Sequence, residues 1–170
     1  MMKKEPKGRN QAPAMIVFCG FDQQMYLIEL AKRYGINHYI NLVFRKNFSA
    51  QVLKANMKVV GNAEYGLLLY RDKLPKFNNE GRMAFNSIPM DRDTKTPKIH
   101  PTQKPVTTLK YLIKLFTDEG DIVIDPCAGC GSTLVASEMI GRKSYGFEIK
   151  KNFVKDFNEK ISINIQHDLF

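Results

Sequence analysis

At 170 residues and 44% hydrophobic content, the chain is long and apolar enough for one domain with a real core, which excludes a disordered linker. No apolar run approaches the roughly 18 residues that cross a membrane, and the basic start MMKKEPKGRN has no signal-length apolar stretch behind it. The formal net charge of +9 argues against an enzyme of small neutral metabolites and for a surface that meets phosphates, with nucleic acid the first candidate.

Three cysteines, Cys19, Cys127 and Cys130, are too few and too uneven for a disulfide framework and point to a reducing, cytoplasmic setting. Cys127 and Cys130 form a C-x-x-C. A zinc site needs further ligands at similar spacing, and only Cys19 and three scattered histidines remain, so no metal is expected. A redox dithiol at a helix start is the other reading of that pair. The surrounding glycines fit a nucleotide loop better.

In chain order, Met15–Cys19 (MIVFC) reads as a strand buried on both faces. Gly20 breaks it and Asp22 can cap a following helix. Leu27, Ile28, Ala31 and Tyr34 give helical spacing, which Gly35 ends. Tyr39–Phe44 reads as a second strand, Asn47–Gly61 as polar and irregular, and Tyr65–Tyr70 as a third strand. The order fits an α/β sheet. Residues 71–104 then form a polar stretch with no sustained period, long enough to be functional or mobile. Its cations Arg71, Lys73, Lys76, Arg82, Arg92, Lys95 and Lys98 make it a candidate DNA-facing arm. The interleaved Asp72, Glu80, Asp91 and Asp93 equally fit a solvated excursion of mixed charge. HPTQKP (100–105) introduces a helix, with Pro105 suited to its first position and Val106, Leu109, Leu112, Ile113 and Phe116 as its buried stripe. Phe153, Val154, Phe157 and Ile161 mark a last amphipathic helix.

Between these two helices lies the stretch that organises the chain, Asp121–Glu148. An apolar run, Ile122–Ile124, ends on Asp125. A tight turn with Gly129 and Gly131 follows, then the helical spacing of Leu134, Val135, Met139 and Ile140, stopped by Gly141. A second short run ends on Glu148, 23 residues after Asp125. This is strand, glycine loop, helix, strand. Glycines let a ligand lie against backbone at a helix start, and an acid at the next strand tip suits a ribose diol. The stretch reads as a holder of an adenosine-containing cofactor. A nicotinamide fingerprint is the remote alternative, but its third glycine position is Leu134.

HPTQKP, a helix, DPCAGCGST and then YGFEI resemble the DNA amino-methyltransferases, which act on N6 of adenine or N4 of cytosine, in the permuted β-type motif order. The resemblance implies a Rossmann-like α/β methyltransferase sheet with helices on both faces, filling residues 1–170 as a single, partial domain with 71–104 as a target-recognition insertion. It implies S-adenosyl-L-methionine as cofactor and double-stranded DNA as partner. Carried over, Gly129 and Gly131 let the loop approach the methionine moiety, flanked by Cys127, Ala128, Ser132 and Thr133. Asp125 orders the loop or binds near the amino group, and Glu148 takes the ribose hydroxyls. Thr102, Gln103 and Lys104 lie beside the methionine carboxylate. In the family's loop, D-P-F-x-G-S-G-T-T or close to it, Cys127, Cys130 and Ser132 are departures here.

The family's catalytic tetrapeptide, (D/N/S)-P-P-(Y/F/W), is absent; Asp125-Pro126 belongs to the cofactor loop. The catalytic residues are therefore unknown. The resemblance places that motif on a strand ahead of Met15, between the cofactor strand and Met15–Cys19, and its loss leaves two strand edges unpaired. The expectation is a C-terminal portion of a methyltransferase whose missing strand comes from a second polypeptide or a second copy, or is lost. A sheet that closes around the gap is the alternative, and a catalytically silent cofactor- or DNA-binding remnant is the other functional reading.

Overall fold

The computed structural model describes residues 11–48, 51–96, 100 and 103–160, without the side chains of 51, 52 and 160. It divides into two compact units, one up to Arg92 and one from Asp93.

The first unit is a four-stranded sheet with one helix on it. Its strands are β1 (Met15–Cys19), β2 (His38–Arg45), β5 (Ala63–Tyr70) and β6 (Ser87–Pro89), and its helix is α1 (Gln24–Arg33). The order is β1-β5-β2-β6: β5 runs antiparallel to both β1 and β2, and β6 runs parallel to β2. Alternation sends Leu67 and Leu69 of β5 toward α1, where they pack with Ile28, Ala31 and Ile36. The opposite face carries Phe18 and Phe44, whose ring centroids lie 4.7 Å apart. Gly66 sits opposite both Phe18 and Leu42 in register. A Cβ there would stand 3.1 Å from the Phe44 ring and 3.1 Å from the Val17 carbonyl, so glycine lets the rings meet.

Four local readings of the sequence change in this unit. β1 is half-buried along its length, because among the described residues it is an edge strand paired only with β5. Gln23, not Asp22, precedes α1, and its side chain folds back to accept from Gly20 N–H at 2.9 Å. The Asn47–Gly61 segment contains an antiparallel ribbon of β3 (Gln51–Lys54) and β4 (Val59–Gly61), joined by a single 3-10 turn. Its residues are polar enough to hide the alternation. Likewise β6 lies within the 71–104 stretch, and Ile88 and Met90 there are buried.

The second unit is a β-α-β motif flanked by two helices: α2 (Val106–Phe116), β7 (Ile122–Asp125), α3 (Ser132–Glu138), β8 (Lys143–Gly146) and α4 (Lys151–Lys160). β7 and β8 are parallel, with Ile122 opposite Lys143 and Ile124 opposite Tyr145. Pro105 stands just before α2 rather than as its first residue. α3 ends at Glu138, two residues before the expected Ile140, and its fully buried residues are the small Ala136 and Ser137. Small side chains let α3 lie close to α2, the helix it contacts most. Ile122, Ile124 and Tyr145 share the other face of the sheet and are more than half exposed. No helix among the described residues is long and apolar enough to cross a membrane.

Candidate functional site

The loop between β7 and α3 is fixed by bonds that reach outside itself. Asp125 closes β7, and its carboxylate accepts from Cys127 N–H at 3.0 Å. Its backbone carbonyl accepts from Phe147 N–H at 2.9 Å, and the Phe147 carbonyl accepts from Ala128 N–H at 2.9 Å. Gly131 N–H donates to the Ala128 carbonyl at 2.8 Å, turning the chain into α3. The loop is thus laced to the segment leaving β8.

Glu148 completes the lacing. One carboxylate oxygen accepts from Gly129 N–H at 2.9 Å and the other from Lys150 N–H at 2.8 Å. The Lys150 amide first, then the Gly129 and Ile149 amides and the nearby Lys150 charge, together outweigh the opposing desolvation and hold this carboxyl below the usual range. A carboxylate has about four lone-pair positions, so these amides leave room for a ligand hydroxyl.

The glycines of the loop have different reasons. Gly129 has φ +54, and nothing lies within 4 Å of where a Cβ would stand; it faces open space. Gly131 has φ +78, but there a Cβ would fall inside the ring of Phe157, 2.2 Å from its nearest carbon. Gly146 is a third: a Cβ would sit 2.8 Å from Leu134 and 2.9 Å from Ala128, so the strand can pass the loop and helix only as glycine. Gly146 and Phe157 were not among the expected site residues. The signal for Gly146 stood in the YGFE run, as a glycine inside a strand. That for Phe157 was only its place on an amphipathic stripe.

α4 touches both sequence motifs of this unit. Phe153 meets the ring of His100 edge-on at 4.9 Å, and Phe157, one turn on, covers Gly131. Gln103 and Lys104 stand half-buried just ahead of α2, with Gln103 N–H donating to the His100 carbonyl at 3.2 Å. The first amide of α2, Val106 N–H, is taken by the carboxylate of Asp93 at 3.1 Å. Burial opposes ionisation of Asp93, but the amides of Thr96, Lys95 and Val106 outweigh it and lower its pKa. Thr102 and Lys98 lie outside the described residues. Ser132 is buried, and the Thr133 carbonyl accepts from the Ser137 hydroxyl at 2.7 Å. Cys127 is exposed and Cys130 buried, both as free thiols, and the described residues hold no cluster of three metal-ligating groups.

Of the polar stretch, Arg71, Lys73, Lys76, Arg82 and Arg92 belong to the first unit and Lys95 to the second. Arg71, Lys73 and Lys76 are half-buried and each engaged with neighbours. The Arg92 guanidinium lies 4.9 Å from the Phe48 ring centre. Arg82 and Lys95 are exposed. Met83 and Phe85, beside Arg82, are 97% and 88% exposed.

The family described as DNA methylase matches residues 10–159. The protein YubD of Escherichia coli (strain K12), named as a methylase, is 29% identical over 152 residues, covering 87% of this chain and 61% of its own length. YhdJ of the same strain, named a DNA adenine methyltransferase, is 45% identical over 56 residues, 33% of this chain and 21% of its own. This chain thus spans less than two thirds of either relative. Among solved structures, the M1.HpyAVI–SAM complex superimposes with a TM-score of 0.70 at 22% identity, over 88% of this chain and 74% of that one. That likeness carries the Rossmann-like α/β fold.

Proposed function

Because the chain belongs to the DNA methylase family, we propose that it is the cofactor-holding part of an enzyme that methylates an exocyclic base amine in double-stranded DNA, with S-adenosyl-L-methionine as donor. One observation carries this reading: two carboxylates, Asp125 and Glu148, order a loop whose glycine, Gly129, faces open space. Gly129, Cys127, Ala128, Gly131, Ser132 and Thr133 form the cradle. Asp125 fixes its start, and the spare lone pairs of Glu148 take the ribose hydroxyls. Thr102, Gln103 and Lys104 receive the carboxylate end. When bound, the cofactor supplies an electrophilic sulfonium methyl; the chain's own residues bind and orient it. Calorimetry with S-adenosylhomocysteine and with NADH tests this. Heat from the first alone is expected, and heat from NADH alone overturns it.

These 170 residues lack one part that such an enzyme needs. A base amine is a poor nucleophile, and the (D/N/S)-P-P-(Y/F/W) groups that would accept its protons and stack the extruded base are absent. β1 has a free edge among the described residues, and an edge strand is a template for another. Close by in sequence, the Gln24 side-chain N–H2 is buried without a hydrogen-bond partner. A strand bearing the tetrapeptide, contributed from outside these residues by a second polypeptide or a second copy, would pair along β1. The absent motif also favours a second reading, a silent cofactor- and DNA-binding remnant. Tritiated methyl transfer to unmethylated duplex, with and without a peptide carrying the tetrapeptide, separates them: transfer restored by the peptide supports the split enzyme, and none in either case supports the remnant. The match to YhdJ favours adenine N6 over cytosine N4; identifying the methylated base in the product decides it.

A further inference from the structure

The β3–β4 ribbon was read from the sequence as irregular, and no part of the site described above uses it. Every residue from Leu53 to Val60 is exposed. Four of these are large and apolar: Leu53 at 62%, Met57 at 67%, Val59 at 43% and Val60 at 52%. An exposed apolar run on a short two-stranded ribbon is costly in water and marks a contact surface. Its charge is one-sided. From Phe44 to Ala63 there are four cations, Arg45, Lys46, Lys54 and Lys58, and no acid. Lys46 is committed to Glu64 at 3.3 Å, whereas Lys54 and Lys58 flank the turn at the ribbon's tip and form no ion pair among the described residues. Lys58 holds a left-handed backbone at φ +53, which keeps the turn tight: its N–H donates to the Ala55 carbonyl at 3.2 Å.

We propose that this ribbon is a duplex-DNA contact, with Lys54 and Lys58 on backbone phosphates and the Met57 end of the turn seated in the groove between them. A two-stranded ribbon fits the width of the major groove, and apolar side chains pack there against base edges and thymine methyls. The contact positions the duplex and does not by itself choose a sequence. The inference deepens the DNA-directed reading above and rests on it. The charges favour this occupant over a protein partner. The ribbon also has cations to spare, whereas Arg71, Lys73 and Lys76 of the polar stretch are already engaged.

The test is binding of the full chain to an unmethylated duplex across a salt series. Lys54→Gln with Lys58→Gln should weaken binding about tenfold at 0.1 M salt and reduce the slope of log K against log salt by about 2, near 0.9 per lost phosphate. Lys54→Arg with Lys58→Arg should restore both, which guards against misfolding. Met57→Ser should weaken binding and leave the slope unchanged. Gln variants that bind with wild-type affinity and slope remove the ribbon and leave the DNA-directed function standing. A wild-type chain with no salt-dependent duplex binding removes both. Ribbon variants that change self-association in sedimentation but not DNA binding would make the ribbon a protein interface instead.

Discussion

The glycine loop and the tip of the polar stretch are both irregular, but they are held in opposite ways. Around the loop, the amides of Cys127, Ala128 and Gly129 reach Asp125, Phe147 and Glu148, so strands β7 and β8 jointly set its shape. In the polar stretch, the tip is closed by a turn within itself: Arg82 N–H donates to the Asn79 carbonyl at 2.7 Å, across Glu80 and Gly81 with positive φ. The side chains at that tip, Met83 and Phe85, are left in solvent. A segment tied to two strands can hold a small ligand in one pose. A tip tied chiefly to itself can adapt to a large, variable surface. The difference implies that changes in the loop act steeply and changes to the exposed side chains of the stretch act gently.

The largest expected effect separates the two glycines of the loop. Gly131→Ala combines left-handed strain with a Cβ inside the Phe157 ring, and should destabilise by about 3 kcal/mol. Gly129→Ala meets only the strain, about 1 kcal/mol. Thermal unfolding measures both. Equal shifts would show that Phe157 does not define Gly131. Phe157→Ala should then rescue part of the Gly131→Ala loss, and no rescue would break the pairing of loop and α4.

Next comes Glu148→Gln, which keeps the shape but puts an NH2 donor in place of one of the two oxygens that accept from amides, and weakens the proposed ribose contact. S-adenosylhomocysteine binding should fall about tenfold, with a modest fall in unfolding temperature. The pH dependence has a definite sign. A carboxyl depressed in the folded state contributes above its unfolded pKa, and that contribution is lost as pH falls through its folded value. Wild-type affinity should therefore hold at neutral pH and decline on acidification, while Glu148→Gln should be flatter. A wild-type profile as flat as the variant's would remove Glu148 from the site.

How much of this was legible in the residues follows the same division. Asp125, Gly129, Gly131 and Glu148 were readable because a strand–loop–helix–strand unit fixes their spacing and admits few residue types at each place. Gly146 was missed because its constraint is the approach of Leu134 and Ala128, a packing fact that spacing does not reveal. Phe157 was missed because a helical stripe says that a ring is buried, not against what. The ribbon escaped because Gln51, Lys54, Asn56 and Lys58 interrupt its apolar residues, and β6 because three residues are too few to show alternation. The β1 edge was foreseeable from the missing tetrapeptide alone.

Asp93 lies inside the polar stretch yet caps α2. Asp93→Ala should cost about 1 kcal/mol in unfolding of the chain, the usual loss of a helix cap. A shift in duplex affinity without that loss would make it part of the arm instead.

The gentlest test concerns Lys95, whose side chain is exposed and whose backbone amide is held by Asp93 at 2.9 Å. Because the anchor is the amide, Lys95→Ala leaves the local structure in place and removes only a charge. Duplex binding should weaken by about two- to fivefold, and the salt slope should fall by about 1, with cofactor affinity unmoved. The Lys54/Lys58 pair should move the slope about twice as far. If Lys95→Ala moves it as far or further, the polar stretch and not the ribbon is the principal phosphate contact. If Lys95→Ala leaves binding and slope unchanged, its charge is solvated surface and the adaptable arm must work through Arg82, Met83 and Phe85 at its tip.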